Sequence, residues 1–562
     1  MVSVSTEEKV SEDELVPIAL TEPPKNLQAI HDRTEPTGGL RKHLTFFRVH
    51  LLYFILLGFV GGSILYGIES NSTKVKVSFI DALFTSYSAL CVTGLAVVDT
   101  SLLKTSSVVL IGVLIQLGSS VMMSLLPLMI RRRYMHNHAK DVDSRRDLLG
   151  IQYRAMGRLM WIIIGYIGVS YVASFLFLVV FIYLSPNLKE IIAQQGVSGP
   201  ASFASFHVIS SFNNAGFSLF STNLIPFRDA SVVLMVLGAL ILLGNTLYPV
   251  ALRSIVCLFR KYASREHGRD EYQYLLDHPR ECFTHLFPEL NTHILLITSI
   301  VFNCFEMILF IAYDWNLAIL NGSSWAEKFF AGVFSSVSTR TAGFNVVDLA
   351  VISPTLQFVQ LLLMYVASVP GIVTLRSSTV VGVDTIQVAE DDEETALEKI
   401  PSSFKRILVW FRNRNFMLRE ASLLLVFVLL ICFVEDPKLS NDANFTIFKV
   451  LYESASGFGT VGLSLGYPNT VTSLSAQFNA AAKIFMCCIM LLGRHRGLPT
   501  SLDPAVQLTS DNKELELNST RAHLQNEFSE FNKFDQEGRL VPVVPPQISP
   551  SDVRLRRVKT YA

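Results

Sequence analysis

Charge is scarce in this 562-residue chain, where Asp, Glu, Lys and Arg make up 17% of the sequence, against about 25% in ordinary globular domains. The charges also cancel, 47 basic against 47 acidic, so no basic surplus points to nucleic acid. Seven cysteines, at 91, 257, 282, 304, 432, 487 and 488, fall mostly in apolar runs or in loops expected on the cytoplasmic side, which excludes a secreted disulfide framework. No Gly-rich dinucleotide fingerprint is present, and no cofactor is implied. Residues 1–40 are polar and Pro-containing and the first apolar run comes late, so no cleavable signal peptide is expected.

What the chain has instead is apolar length. Half of it is hydrophobic, gathered into runs at 45–67, 103–130, 159–184, 230–257, 292–314, 354–375, 416–435 and 474–492, each near the ~20 residues a helix needs to cross hydrocarbon. Eight spans are expected. Between the members of each pair lies a shorter, half-polar stretch, at 78–93, 201–215, 326–342 and 443–461. These are too short and too rich in Ser, Thr and Asn to cross alone, and a re-entrant helix and loop suits them.

Each stretch ends in a version of one motif: SALCVTGL around Gly94, SSFNNAGF around Gly216, VSTRTAGF around Gly343 and SGFGTVGL around Gly462, at spacings of 122, 127 and 119 residues. A serine stands eight places before the glycine in three copies (Ser86, Ser335, Ser454) and six before it in three (Ser88, Ser210, Ser456). Copies one and three continue to V-V-D, ending at Asp99 and Asp348. The repeat is therefore a whole helix, re-entrant helix, glycine loop, helix module duplicated fourfold.

Lys and Arg counts in the connecting segments set the orientation. Segments 131–158, 253–290 and 376–419 carry eight, six and seven, whereas the four motif-bearing segments carry two each. The motifs are thus expected outside and both termini in the cytoplasm. The sequons at Asn71, Asn321 and Asn444 fall on the expected outer face as glycosylation candidates, and the one at Asn518 in the cytoplasmic tail should be silent. The organisation read from these patterns is a disordered N-terminus 1–43, unit one 44–131, a loop 132–158, unit two 159–257, a loop 258–291, unit three 292–378, a linker 379–415, unit four 416–496 and a tail 497–562. The fold class is an all-α membrane protein, with four helix–re-entrant pore loop–helix units in pseudo-fourfold symmetry around a central ion pore.

A cation in hydrocarbon must replace its hydration shell, and a ring of backbone carbonyls does so without a full negative charge that would hold it too tightly. Glycine permits positive φ and removes the side chain that would block the axis. The carbonyls just before each glycine, from Val92 and Thr93, Asn214 and Ala215, Thr341 and Ala342, and Thr460 and Val461, are the candidate K+ ligands, beside Gly94, Gly216, Gly343 and Gly462. Each re-entrant helix also aims its negative C-terminal end at the axis.

The four loops, the stretch FFRVHLLYF from Phe46 to Phe54 and the ending GRHRGLP from Gly493 to Pro499 together resemble the Trk/Ktr/HKT superfamily of potassium and sodium transporters, most of all its fungal Trk branch. The resemblance implies one filter glycine per unit around a single pore. In that family a serine in place of the first glycine accompanies sodium preference, so Gly94 implies potassium. It also implies a homodimer, although no residue shows it. This chain departs from the fungal pattern in the short segment between Arg131 and Arg158, and it has Cys91 where the other loops have Asn, Arg or Gly.

Lys483 sits near the middle of the last apolar run, where an unpaired cation is costly enough to suggest function. By resemblance it lies beside the pore and raises the barrier to permeation; the alternative is a lysine paired with an acid for packing. Arg494, His495 and Arg496 end that run, as gate residues or as positive-inside anchors. Pro370 and Gly371, in SVPG, interrupt the second helix of unit three, either as a gate or as a packing kink. Arg340, three before Gly343, is expected to turn away and pair with an acid behind the filter. Asp99, Asp348 and Glu453 either concentrate cations or are ordinary acids. His267, His278 and His285 lack metal-ligand spacing and read as surface residues, EDDEE at 390–394 as a solvated linker.

The function these observations favour is potassium uptake across the plasma membrane, driven by the membrane potential. A sodium- or proton-coupled symporter, or a sodium-permeable transporter on the same fold, is the main alternative. A membrane-embedded enzyme would need clustered acids, histidines or a nucleophile within the spans, and none is arranged so; a sensor with a dead pore is the remaining rival.

Overall fold

The computed structural model describes residues 46–138, 146–263, 268–315, 317, 320, 322–366 and 414–496. Among them there is helix and loop but no strand, and the same three-part module occurs four times. Each first helix, Phe46–Glu69, Arg146–Leu184, Glu289–Leu309 with a π turn to Asp314, and Arg414–Asn441, leaves a broad apolar face uncovered. Leu56 and Phe59, Val169 and Val180, Ile297 and Ile308, and Leu425 and Phe433 are among the exposed residues. A face this apolar suits lipid rather than water.

The pore helices Phe79–Leu90, Pro200–Phe212, Trp325–Thr341 and Ile447–Gly459 have 12 to 17 residues, or roughly 18–26 Å at 1.5 Å per residue. That is short of the ~30 Å hydrocarbon thickness. Ser78, Ser324 and Thr446 start three of them by accepting the N–H of Asp81, Glu327 and Lys449, while unit two uses Gly199 followed by Pro200.

The second helices explain how the modules close. Each packs against the pore helix of the following module: Thr105–Gly118 on Pro200–Phe212, Ser231–Gly244 on Trp325–Thr341, Pro354–Val366 on Ile447–Gly459, and Ala480–His495 back on Phe79–Leu90. Four such steps return to the start, which is a ring. In three modules an acid in the last two turns of the first helix caps the second: Glu69 accepts from Lys104 N–H and Ser107 Oγ, Asp314 from Ser353 N–H and Oγ, and Glu435 from Asn479 N–H. The buried carboxylates thus satisfy helix-start donors.

Among the described residues three helices are long and apolar enough to cross a membrane, Phe47–Glu69, Gly150–Leu184 and Glu289–Asp314. The expected straight spans 103–130 and 230–257 are instead bent, by 52° between Gly118 and Ser120 and by 81° between Gly244 and Tyr248. At both bends a glycine is pressed against a pore-helix carbonyl, of Leu90 at Gly118 and of Phe212 at Gly244. The last run also differs: Leu474–Gln477 is a 3-10 turn, and the helix begins at Ala480 behind Asn479.

The segments read as cytoplasmic loops carry structure. The helices run on to His138 and start again at Arg146, and Arg269–Asp277 packs on the latter. Burial would raise the Glu271 carboxyl, but the Arg154 hydrogen bond at 2.9 Å and nearby Arg158 outweigh it and hold it below its ordinary range. His278 is exposed, as expected. His285 is not a surface residue: it is half-buried, hydrogen-bonded to Thr284 and packed against Tyr248. Loss of water, then the Arg280 and Arg494 charges, push it down to about 4. His267 lies outside the described residues.

Candidate functional site

All four motif glycines have positive φ, at 89°, 70°, 70° and 99° for Gly94, Gly216, Gly343 and Gly462. In loops one, two and four the pore helix ends in a Schellman arrangement. Thr93, Ala215 and Val461 donate back to the carbonyls of Ser88, Ser210 and Ser456, and Val92, Asn214 and Thr460 are left-handed, with φ of 58°, 60° and 52°. Left-handed backbone is unfavourable for the β-branched Val92 and Thr460, and the surrounding loops hold them there.

Loop three is built differently. Its helix runs on to Thr341, and both Ala342 and Gly343 donate to Ser338 O. Ser338 stands five residues before its glycine, not six. Its Oγ donates to Phe344 O at 2.6 Å as Ser210 Oγ donates to Phe217 O at 2.7 Å. It is therefore the counterpart of Ser88, Ser210 and Ser456, in a loop one residue shorter, and the missing residue is the left-handed one.

The glycines close a circle. A methyl group added to Gly94 would overlap Ala215 O, one added to Gly216 would overlap Ala342 O, one on Gly343 would overlap Val461 O and one on Gly462 would overlap Thr93 O. The same added carbon would lie 3.1 Å from Gly216 Cα at Gly94, 2.9 Å from Gly462 Cα at Gly343 and 3.1 Å from Gly94 Cα at Gly462. Residues separated by more than 100 positions thus meet around one axis, with the carbonyl preceding each glycine against the glycine of the neighbouring loop. Any side chain at these positions would force the next loop's carbonyl aside.

On the side of the post-glycine segments a cavity of about 530 Å³ opens directly over all four glycines and is bordered by Asp99, Asp348 and Lys449. Asp99 is half-buried and accepts from Ser101, whereas Asp348 is exposed and accepts from Ala350 N–H. Glu453 does not reach this cavity; it is buried and accepts from Ser475 N–H and Oγ.

On the opposite side, Gly118, Gly244 and Gly493 abut the carbonyls of Leu90, Phe212 and Phe458, in each case four residues before the motif glycine. Arg494 donates to Gly118 O, so module four reaches the bend of module one. Arg496 is buried in an ion pair with Glu420 at 2.7 Å and lies over the Phe458 ring at 4.3 Å. Lys483 is paired with Asp81 at 2.6 Å. Arg340 turns away from the axis and donates to Ser299 O and Asn303 Oδ1; the expected ion pair with an acid is not formed among the described residues.

Asn71 and Asn444 are exposed; Asn321, Pro370, Gly371 and Asn518 lie outside the described residues. Sequence reading missed Asp81, Glu420 and buried His207, which bridges Phe203 O and Ser218 Oγ behind loop two. Asp81 carries a visible signal, as an acid three residues after a serine at a helix start; Glu420 and His207 carry none.

Four repeated helical modules bring main-chain carbonyls from four separate loops together around one axis. The chain belongs to the TrkH family of cation transport proteins, whose match covers residues 45–515. It is 35% identical over 401 residues to the low-affinity potassium transport protein of Saccharomyces cerevisiae, covering 66% of this chain and 45% of that one. It is 33% identical to the potassium transporter TRK1 of Candida albicans, over 65% and 34% of the two chains, and 30% identical to potassium transport protein 1 of Schizosaccharomyces pombe, over 67% and 44%. The matched part thus spans less than half of each of these relatives. A solved structure of the potassium transporter TrkH from Vibrio parahaemolyticus is similar at a TM-score of 0.47 and 15% identity, covering 80% of this chain and 82% of that one.

Proposed function

We propose that this protein takes potassium up across the plasma membrane through the four-glycine ring, passively, with the inside-negative potential supplying about 2.3 kcal/mol per charge per 100 mV. The observation that carries the reading is the circle in which each pre-glycine carbonyl abuts the neighbouring loop's glycine. Main-chain oxygens of Val92, Thr93, Asn214, Ala215, Thr341, Ala342, Thr460 and Val461 take the place of the ion's water. Asp99 and Asp348, at the rim of the cavity, raise local cation concentration.

The cavity faces outward and both termini are cytoplasmic in this reading, with Asn71, Asn321 and Asn444 as glycan acceptors and a homodimer as the assembly. Lys483, held by Asp81, sets the barrier below the filter; Arg494 and Arg496, with Pro370 and Gly371, form the gate. The test is rescue of a potassium-uptake-deficient yeast strain on low-potassium medium, with the reversal potential measured in parallel. Currents that reverse at the potassium equilibrium potential support passive uptake, a reversal that moves with external sodium or pH makes it a symporter, and failure to rescue removes the reading.

A further inference from the structure

We propose that the side chains of Asn214 and Thr341 form a latch between loops two and three that sets ion selectivity, an inference that rests on the cation-filter reading. The two residues sit two positions before their respective glycines. Thr341 Oγ1 donates to Asn214 Oδ1 at 2.7 Å, linking positions 127 residues apart.

Asn214 has nothing polar left over. Its Nδ2 donates to Ile241 O at 3.0 Å and to Phe212 O at 3.3 Å, and the residue is 2% exposed. In an unbroken helix the Ile241 carbonyl would accept the N–H of residue 245. Here the helix ends at Gly244, with Asn245 at φ −138° and ψ −85°, which frees that carbonyl. A filter residue completes it. One side chain therefore fastens loop two both to its neighbour and to the 81° break in the helix beneath it. The same position in loop one is Val92, whose side chain has no hydrogen-bonding group, so loop one cannot make this latch.

Discrimination between two alkali ions depends on where the carbonyls are held, and the latch holds two of the four loops. Thr341→Val keeps the shape and deletes the donor; Thr341→Ser keeps the donor. Asn214→Gly suits φ of 60° and deletes all three bonds. The measurement is competition of potassium and sodium for rubidium uptake in potassium-uptake-deficient yeast, normalised to surface protein.

Thr341→Val is expected to lower potassium-over-sodium discrimination about fivefold, or ~1 kcal/mol, and Thr341→Ser to restore at least half of that loss. Asn214→Gly is expected to do the same, with no further drop when Thr341→Val is added. Wild-type discrimination in Thr341→Val, or additive losses in the double variant, overturns the latch. If Asn214→Gly fails to reach the surface, the Val and Ser variants decide. Gly94→Ser run alongside separates the two ideas: altered selectivity there with none in Thr341→Val removes the latch and leaves the filter, and no change in either removes both.

Discussion

Lys483 Nζ of the last helix and Asp81 Oδ1 of the first pore helix meet at 2.6 Å, so an ion pair 402 positions apart in sequence joins module four to module one. Asp81 also accepts from Ser78 Oγ at 2.7 Å. Both side chains are mostly removed from solvent, at 12% and 21% exposure, where a lone charge is costly. Lys483→Ala is expected to raise cation flux per surface molecule severalfold. Asp81→Asn, which leaves the lysine without its anion, is expected to lower it. Equal flux in all three proteins would separate the pair from permeation. A charge-swapped double variant that recovers flux over either single exchange would identify the pair itself as the cause.

Gly94→Ser should admit sodium. Its added Cβ collides with Ala215 O at a φ of 89°, so loop two must retreat and one carbonyl of the ring moves. The expected outcome is a fall of at least fivefold in potassium-over-sodium discrimination, read by competition against rubidium uptake. Unchanged selectivity would place Gly94 off the ion path.

Two glycines in the same helix should behave oppositely. A Cβ at Gly244 overlaps Phe212 O, backbone that cannot swing away, whereas one at Gly238 lies 3.5 Å from the Phe334 ring in ordinary contact. Gly244→Ala is expected to lower the thermal midpoint in detergent by an amount corresponding to ~2 kcal/mol or more. Gly238→Ala should hold or raise it slightly, since alanine favours helix by up to about 1 kcal/mol. The reverse order would mean that the bend is not set by this contact.

Acid should loosen the packing around His285, which is bonded to Thr284 and set against Tyr248. Burial holds its folded-state pKa at about 4, below the ordinary histidine value of about 6.5, so between those values the unfolded chain binds the extra proton and stability falls as pH drops. Below about 4 this contribution is spent. Thermal midpoints measured from pH 7 to 4.5 should decline in the wild type and decline less in His285→Asn. Parallel curves would assign the acid sensitivity in that range to other groups. The depressed pKa of Glu271 makes its own contribution disappear only as pH falls below the ordinary carboxylate range, ~4.3.

Much of this was legible in order along the chain. The four pore helices and their glycines follow from apolar run length, from Ser and Thr at helix starts and from glycine's freedom at positive φ, all of which are local. Less legible was the register of loop three. Counting six places back from Gly343 lands on Val337, but Ser338 does the work because one left-handed residue is absent, and a one-residue deletion shows only in hydrogen bonds. The bends at Gly118 and Gly244 were equally hidden, since each glycine is explained by a carbonyl 28 or more residues before it.

The sequence by itself determined that there are four modules, that each carries one glycine hairpin and that their first helices face an apolar medium, because these depend on composition and periodicity within some 20 residues. Tertiary structure alone decided that the hairpins share an axis, that Lys483 meets Asp81 and that Asn214 ties a motif loop to a broken helix. Those contacts join residues 27 to 402 positions apart, and only the closed packing of the helices brings such groups within hydrogen-bonding range.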